Sequence, residues 1–331
     1  MKEFSVTDAD AGARLDRVLR RIVGAMGQGV IEKALRSGHV RIDGQKAKSG
    51  QRLIEGQVVS VAPYFLSHAE QQQAAQTQPK KPVVNKEKAA KEIAQMTLIQ
   101  TSEWRALNKP SGLAVQGGTQ THKHIDGLLS AGFPSRDYKL VHRIDKDTSG
   151  VLLVAEGHHA ARTLTKGFRD HIIHKFYLAL VVGALPASGV ISAGLRKYGG
   201  KGLEKMIVDD VEGQQAITDF ICFDSAGVVS LLGFSPRTGR THQLRAHAAH
   251  LGAPILGDGK YGGAAAHIGG FDKKLHLHAW GLRLPEGEEV FAPLPAHFIS
   301  ALQVAGLNLP TADNFPCFRF SGRDRVTYNN S

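Results

Sequence analysis

His142-Arg-Ile-Asp-Lys-Asp-Thr-Ser-Gly150, running straight into Val151-Leu-Leu-Val-Ala155, is the stretch on which the reading of this chain turns. The apolar run is short, as a buried strand would be. Ahead of it Asp145 and Asp147 stand among Arg143 and Lys146, so the strand is entered through a charged loop. An Asp beside cations is held ionised by opposite charge and hydrogen bonding. An ionised carboxylate at a rigid strand mouth can serve as nucleophile or base. The plainer reading of the same residues is a turn that Asp147 caps through Thr148 and Ser149.

Three more segments carry chemistry. Asn108-Lys-Pro-Ser-Gly-Leu-Ala-Val115 reads as a tight turn ending in an apolar pair, and alone it decides nothing. In His174-Lys-Phe-Tyr-Leu-Ala-Leu-Val-Val-Gly183, period-two alternation predicts a strand with Phe176, Leu178 and Leu180 on one face. Lys175, Tyr177 and Ala179 share the other face, where the Tyr177 ring can stack under a base. In Arg237-Thr-Gly-Arg-Thr-His-Gln-Leu-Arg-Ala-His247, Thr241 is expected to cap a helix with Leu244, Ala248 and Leu251 as its core stripe. Its N-terminus, with Arg237 and Arg240 beside it, makes an anion site. Arg245 lies a turn further on, able to reach inward toward a carboxylate. The motif is followed by Leu251-Gly-Ala-Pro-Ile-Leu-Gly-Asp-Gly-Lys-Tyr-Gly262.

Composition narrows the partners. The 331 residues suit one large domain with a smaller one, and 42% hydrophobic residues suffice for a sizeable core. A net charge of +11 points to a polyanion, nucleic acid before membrane. Two cysteines, Cys222 and Cys317, cannot build a cysteine-rich zinc module and make a disulfide framework unexpected. The first ten residues carry acids and no long apolar run, neither a signal peptide nor a membrane span. A soluble cytoplasmic protein is the expectation.

Residues 1–65 read as a compact module. Leu15, Val18, Leu19 and Ile22 recur at helical spacing; Ile31, Ala34 and Leu35 mark a second helix stopped by Ser37-Gly38; Val40 and Ile42 alternate before the hairpin signal Asp43-Gly44. A further strand covers Gln57 to Val61. Residues 66–96 are polar, charged and poor in large apolar groups, and read as a flexible linker with a helical portion around Glu87 to Gln95. A second domain is expected over 97–310, where strands and short helices alternate, and a basic, exposed tail over 311–331.

RLDRVL and IEKALRSGHVRIDGQKA resemble the S4 RNA-binding domain. That resemblance implies a small α/β module with Arg36, His39, Arg41 and Lys46 as RNA contacts. HRIDKDTSG resembles the signature of the RluA/RluC-type ribosomal large subunit pseudouridine synthases, and NKPSGLAV, KFYLALVVG and RTGRTHQLRAH…GAPILGDGKYG match the accompanying motifs in the same order. Ile144 and Ala246 depart from the usual Leu and Val without touching the chemistry. The resemblance spans residues 13–62 and 100–295. It implies an α+β architecture: a catalytic domain on a mixed, largely antiparallel sheet with flanking helices, behind the small S4-like domain.

It also implies the reaction. The family cuts the N1–C1′ bond of a uridine, rotates the base and rejoins it through C5, with neither cofactor nor metal. Asp145 would be the nucleophile or base, Arg245 would pair with it, and Tyr177 would stack on the target base. Arg143 would fill the gap left by the everted nucleotide, and His142, Lys109, Thr148, Arg237, Arg240 and His242 would contact RNA. Large-subunit ribosomal RNA is the expected substrate and a monomer the expected state. Two rivals were weighed: an RNA-binding or ribosome-assembly factor without catalysis, against which Asp145, Tyr177 and Arg245 all speak, and a metal-dependent hydrolase suggested by His276-Leu-His278 and by His242, His247 and His250.

Overall fold

The computed structural model describes residues 1–23, 28–48, 50–63, 65, 85–118, 121, 123–200, 204–309 and 326–328. The chain divides into two units, Met1–Val83 and Val84–Ser331.

In the first unit two short helices cover a four-stranded antiparallel sheet. The helices are α1 (Leu15–Val23) and α2 (Gln28–Arg36). The strands are β1 (Lys2–Ser5), β2 (Val40–Ile42), β3 (Gln45–Lys46) and β4 (Val58–Val61), in the order β1-β4-β2-β3. The apolar positions read from the sequence close one core: Leu15, Leu19, Ile31, Val40, Val59 and Val61 are fully or almost fully buried. Arg36, His39, Arg41 and Lys46 are exposed at the α2–β2 turn and the β2–β3 hairpin, where Arg41 pairs in register with Lys46. The Arg41 guanidinium already donates to the Gly44 carbonyl at 3.0 Å.

The second unit is built on a twelve-stranded mixed sheet. In chain order its strands are β5 (Thr97–Gln100), β6 (Trp104–Lys109), β7 (Tyr138–Leu140), β8 (Ser149–Glu156), β9 (His174–Val182), β10 (Ser188–Tyr198), β11 (Lys205–Val208), β12 (Gln214–Ala226), β13 (Val229–Pro236), β14 (Leu277–Arg283), β15 (Glu289–Phe291) and β16 (Val326–Tyr328). They run β11-β10-β12-β13-β9-β14-β8-β6-β5, with β7, β15 and β16 added beside β8, β14 and β10. Only the β8–β14 and β10–β16 pairs among those described are parallel. The α+β expectation of a mixed, largely antiparallel sheet with flanking helices holds.

Helices explain why β8, and β9 from Leu178 onward, are continuous apolar runs. The flanking helices are α3 (Lys86–Met96), α4 (Ile125–Gly132), α5 (Gly157–Arg169), α6 (Gln243–His250) and α7 (Ala296–Ala305). Val151, Leu153 and Ala155 of β8 pack with Ala160 and Leu164 of α5, whereas Leu152 and Val154 pack with Ile125 and Leu128 of α4. Likewise Ala179 and Val181 of β9 meet Leu244 and Ala248 of α6, and Leu178 and Leu180 meet Phe298 and Leu302 of α7. A sheet covered on both faces hides every residue of a central strand.

Two boundaries shift. Residues 86–96, expected to end a flexible linker, form α3, capped by the Asn85 side chain on the Lys88 N–H and seated through buried Ala89 and Ile93 in the α4 core. Gly132 lets the helices touch, since a Cβ there would lie 2.7 Å from the Ala90 nitrogen. The physical reason is that two apolar residues at i and i+4, Ala89 and Ile93, suffice when the neighbouring helix supplies the rest of the core. The remainder of the expected linker, 66–84, lies outside the described residues. Of the expected tail, Val326–Tyr328 pairs with Gly189–Ile191 of β10, and the rest is not described. No helix among the described residues is long and apolar enough to cross a membrane.

Ile93→Ala tests the placement of α3. Truncating a fully buried Ile typically costs about 2–5 kcal/mol, so urea unfolding of the full chain should show a loss in that range. A tether would show almost none.

Candidate active site

The loop between β7 and β8 is held from beneath by a buried cation. Lys109, at the end of β6, is fully buried, and its Nζ donates to the carbonyls of Pro110, Leu113 and Lys146 at 2.9, 2.8 and 2.9 Å. Burial pulls its pKa down to about 7, against the attraction of the Asp147 and Asp145 carboxylates. The Gly112 N–H donates to Lys146 O at 2.9 Å, and Ser111 Oγ donates to Asp147 O at 2.7 Å. The Asn108–Val115 segment, uninformative by itself, is thus the floor of the Asp145 loop. Gly150 completes the placement: a Cβ there would sit 2.1 Å from the Ala279 carbonyl oxygen, so only glycine lets β14 approach the start of β8.

Asp145 opens into a cavity of about 520 Å³, in the usual range for a ligand site. Thr148, Lys175, Tyr177, His242 and Arg245 line it too. The Tyr177 phenol is pushed well above its ordinary pKa by burial and by the Asp145 carboxylate, so it stays protonated. Thr148 is buried, and its Oγ1 has no hydrogen-bond partner in the structure. A buried hydroxyl left unpaired is costly unless a ligand supplies the bond.

Arg245 is buried and lines the cavity, but it does not hydrogen-bond Asp145. Its Nε and Nη2 make a fork to Asp258 Oδ2 and Oδ1, both at 2.7 Å. Burial alone would lower the Arg245 pKa; the hydrogen bond and charge of Asp258, with the charge of Asp145, raise it instead. The expected direct Asp145–Arg245 pair is therefore corrected: Asp258, almost wholly buried, claims the fork, and Arg245 acts on Asp145 through space. The side chain that Asp145 does have beside it is His242, whose Nε2 is 3.9 Å from Asp145 Oδ2, too long for a hydrogen bond.

His242 adopts a left-handed conformation (φ 50°), sparsely populated for a non-glycine residue. Its Nδ1 is 2.9 Å from the Tyr261 hydroxyl, whose oxygen also accepts the Met206 N–H at 3.0 Å. Burial raises the Tyr261 pKa and lowers that of His242, keeping the phenol protonated and the ring neutral. When the Tyr261 hydroxyl donates to His242 Nδ1, the imidazole N–H stands on Nε2, facing Asp145.

These motifs recur in known proteins. The family described as RNA pseudouridylate synthase matches residues 103–250. A ribosomal large subunit pseudouridine synthase C of Rickettsia typhi is 36% identical over 299 residues, covering 87% of this chain and 96% of that one. The chain belongs to the RNA pseudouridylate synthase family. A ribosomal large subunit pseudouridine synthase C of Vibrio cholerae is 34% identical over 311 residues, 91% of this chain and 96% of the relative. Among solved structures, human RNA pseudouridylate synthase domain containing 4 aligns with a TM-score of 0.58 at 27% identity, over 68% of this chain and 98% of that one.

For a pseudouridine synthase the expected RNA contacts fall into two groups. Arg143 is exposed at the cavity rim, and Arg240 is exposed with only its Nε engaged, on Gln215 O at 3.2 Å. Both leave guanidinium N–H groups without a partner among the described residues. Lys109 does not, because all three of its N–H bonds are taken inside the protein. His142 is likewise structural: its Nε2 accepts the Leu153 N–H at 2.7 Å, its ring stacks on Phe168 at 4.2 Å, and burial, then Lys175, lowers its pKa to about 3. Arg237 is forked onto Asp219 at 2.6 and 2.7 Å, away from the cavity lining.

Thr241 does not cap α6; the helix starts two residues later, and Gln243 orders the turn instead. Its Oε1 accepts the Arg240 N–H and the Thr238 hydroxyl, and its Nε2 donates to Ile217 O and Thr218 Oγ1. Of the histidines that suggested a metal, His278 bonds Ser149 Oγ and Ala292 O, and His276 bonds Leu256 O. Sequence reasoning assigned no role to Asp258, Tyr261, Gln243 or Lys175. Asp258 and Tyr261 lay in the quoted Leu251–Gly262 segment, where a lone acid thirteen residues past Arg245 was the available signal.

Lys109→Met removes a fully buried amine that ties together the carbonyls of Pro110, Leu113 and Lys146, of which Lys146 O keeps the Gly112 N–H. Each of the two carbonyls left without that donor costs up to about 1–3 kcal/mol, so thermal unfolding should show a loss of a few kcal/mol, with pseudouridine formation falling in parallel. Unchanged stability with weakened RNA binding would instead make Lys109 an RNA contact.

Proposed function

We propose that this enzyme converts uridine to pseudouridine in large-subunit ribosomal RNA, with Asp145 as the catalytic carboxylate and neither cofactor nor metal. The observation that carries the reading is Asp145 itself, a carboxylate at a cavity floor with a buried guanidinium near it and no bond to that guanidinium. Among the described residues no side chain hydrogen-bonds the Asp145 carboxylate, and His242 Nε2 stands 3.9 Å away.

The reaction breaks N1–C1′, forms C5–C1′, removes the C5 proton and returns a proton to N1, so atoms balance without a co-reactant. A stacked base cannot reach a cavity floor. The target uridine is everted into the cavity at a cost of a few kcal/mol, least in an irregular loop. Asp145 then initiates cleavage as nucleophile or base. Tyr177, neutral by its environment, supports the base through its ring and donates from its hydroxyl. The Thr148 hydroxyl offers the base one hydrogen bond, and Arg245 steadies negative charge at Asp145 as the bond breaks. Arg143 enters the gap in the RNA.

The exposed Arg36, His39, Arg41 and Lys46 of the first unit give the RNA a second, S4-like foothold. The excess of cations over the chain supports the same substrate class. In this reading the enzyme works as a cytoplasmic monomer.

Asp145→Asn keeps the shape and removes the charge. Pseudouridine formation in unmodified ribosomal RNA should fall to background while RNA binding largely survives; turnover retained in this variant overturns the assignment. Arg245→Lys keeps a charge but not the fork to Asp258, and about a hundredfold loss in turnover is expected, since misplacement of a catalytic group by an ångström costs that much.

A further inference from the structure

Tyr177 and Lys175 point the same way from β9, two residues apart, so their side chains leave the strand roughly 7 Å from one another. That separation is comparable to the distance between ring and phosphate within one nucleotide. The Asp145 carboxylate acts on Tyr177, whereas Lys175 and Arg240 act on His171, and Arg169 lines the same cavity. The Lys175 ammonium is largely buried, yet its described hydrogen bonds comprise one contact, Nζ to Thr238 O at 3.1 Å. No carboxylate forms an ion pair with Lys175 or Arg240 among the described residues. Asp170, the acid close by, is held by Arg169 at 2.9 Å.

A buried ammonium with one carbonyl partner and further cations for neighbours is an expensive arrangement for a protein on its own. It becomes favourable when an anion enters. Arg240 presents both Nη groups, its Nε being the atom bound to Gln215. His171, held in a left-handed turn at φ 59°, brings an imidazole to the same wall. Gly239 lies beside the ammonium, where a Cβ would sit 3.8 Å from Lys175 Nζ, at ordinary contact distance.

We propose that Lys175, Arg240 and His171 form a phosphodiester subsite that holds the backbone phosphate of the everted nucleotide while Tyr177 holds its base. This rests on the proposed function, since the phosphate is that of the RNA substrate. The subsite is distinct from the uridine-reacting group and sets the position of the ribose between them. It converts eversion from a purely stacking event into one in which an electrostatic hold draws the nucleotide in.

The subsite is pH-sensitive. Burial lowers the Lys175 pKa to about 8. The groups that face it are His142 from the loop before β8, the Arg169–Asp170 pair and His171 from the end of α5, Arg240 from the turn before α6, and Tyr177 and Asp145 along the cavity. Burial, then the charges of Lys175 and Arg240, lowers the His171 pKa, so near neutrality His171 is a neutral donor and the other two supply the charge. As pH rises through about 8, Lys175 loses its proton and the subsite one of its two charges.

The test uses the full chain and unmodified 23S ribosomal RNA, with binding measured against salt and pseudouridine formation measured alongside. For Lys175→Gln and for Arg240→Gln, affinity should fall about tenfold, the loss of one charge-assisted bond. The slope of log affinity against log salt should shrink by about 0.7–0.9, one phosphate contact. Wild-type affinity should decline between pH 7 and 9.5, and Lys175→Arg should flatten that decline. An unchanged salt slope in both Gln variants overturns the subsite, because a merely structural lysine would lower activity without altering the number of phosphates neutralised. Failure of the underlying reading looks different: wild-type protein would then neither bind this RNA nor form pseudouridine in it.

Discussion

The fork between Arg245 and Asp258 is the constraint around which the catalytic cavity is arranged. Both side chains are buried, 8% and 0% exposed, and neither could be left there alone. Paired, they are neutral as a unit, and the pair ties α6 to the loop that ends in Tyr261. Asp258 Oδ1 also accepts the Lys260 and Tyr261 N–H groups at 3.2 Å, fixing that loop's turn. The Arg245 guanidinium lies 5.1 Å from the Tyr261 ring centroid, so one side chain orients both the acid beneath it and the aromatic beside it. Tyr261 in turn sets the His242 ring, and His242 faces Asp145.

This arrangement separates two demands that a direct Asp145–Arg245 bond would merge. A catalytic carboxylate must stay charged, and it must keep its oxygens available for substrate. A fork to arginine meets the first demand and defeats the second, because a bidentate guanidinium covers both oxygens. Giving the fork to Asp258 leaves Asp145 with long-range attraction only. The loop that carries Asp145 is then positioned from its backbone, through Lys109, Ser111 and Gly112, rather than through its carboxylate. A site held by main-chain bonds keeps its geometry while its side chain reacts.

The legible parts of the sequence were those where chemistry or periodicity is local. The alternation in Lys175–Ala179 placed Tyr177 on the cavity face, and helical spacing in residues 15–35 produced the core of the first unit. Asp145 was legible because its loop leads into an unmistakable buried strand. The partners were not legible, because each is fixed by a contact between distant segments: Lys109 to Lys146 across the β6–β8 pair, Arg245 to Asp258 across a loop, His142 to Leu153 beneath α5. A lysine in a turn reads as a surface cation, since burial of its ammonium depends on three carbonyls that only the folded loop brings together. The helical portion expected around Glu87 to Gln95 is there as α3, but its docking was not legible, because Ala89 and Ile93 are a weak stripe until α4 lies against them.

Charge within the cavity follows a division of labour that burial enforces. Around Asp145 the phenols of Tyr177 and Tyr261 and the His242 ring are kept neutral, and the charge of Arg245 is taken up by Asp258. Toward Lys175 and Arg240 positive charge accumulates without an acid to balance it. A cavity with a single free anion at one end and uncompensated cations at the other has a direction. A nucleotide is polarised in the matching sense, its phosphate negative and its base neutral, so it can enter in one orientation only. Reversed, it would set phosphate against Asp145 and leave a buried ammonium unpaired. In the proposed binding mode the oxygens of Asp145 meet the base and ribose, and electrostatics favours that direction of entry before any base-specific contact forms.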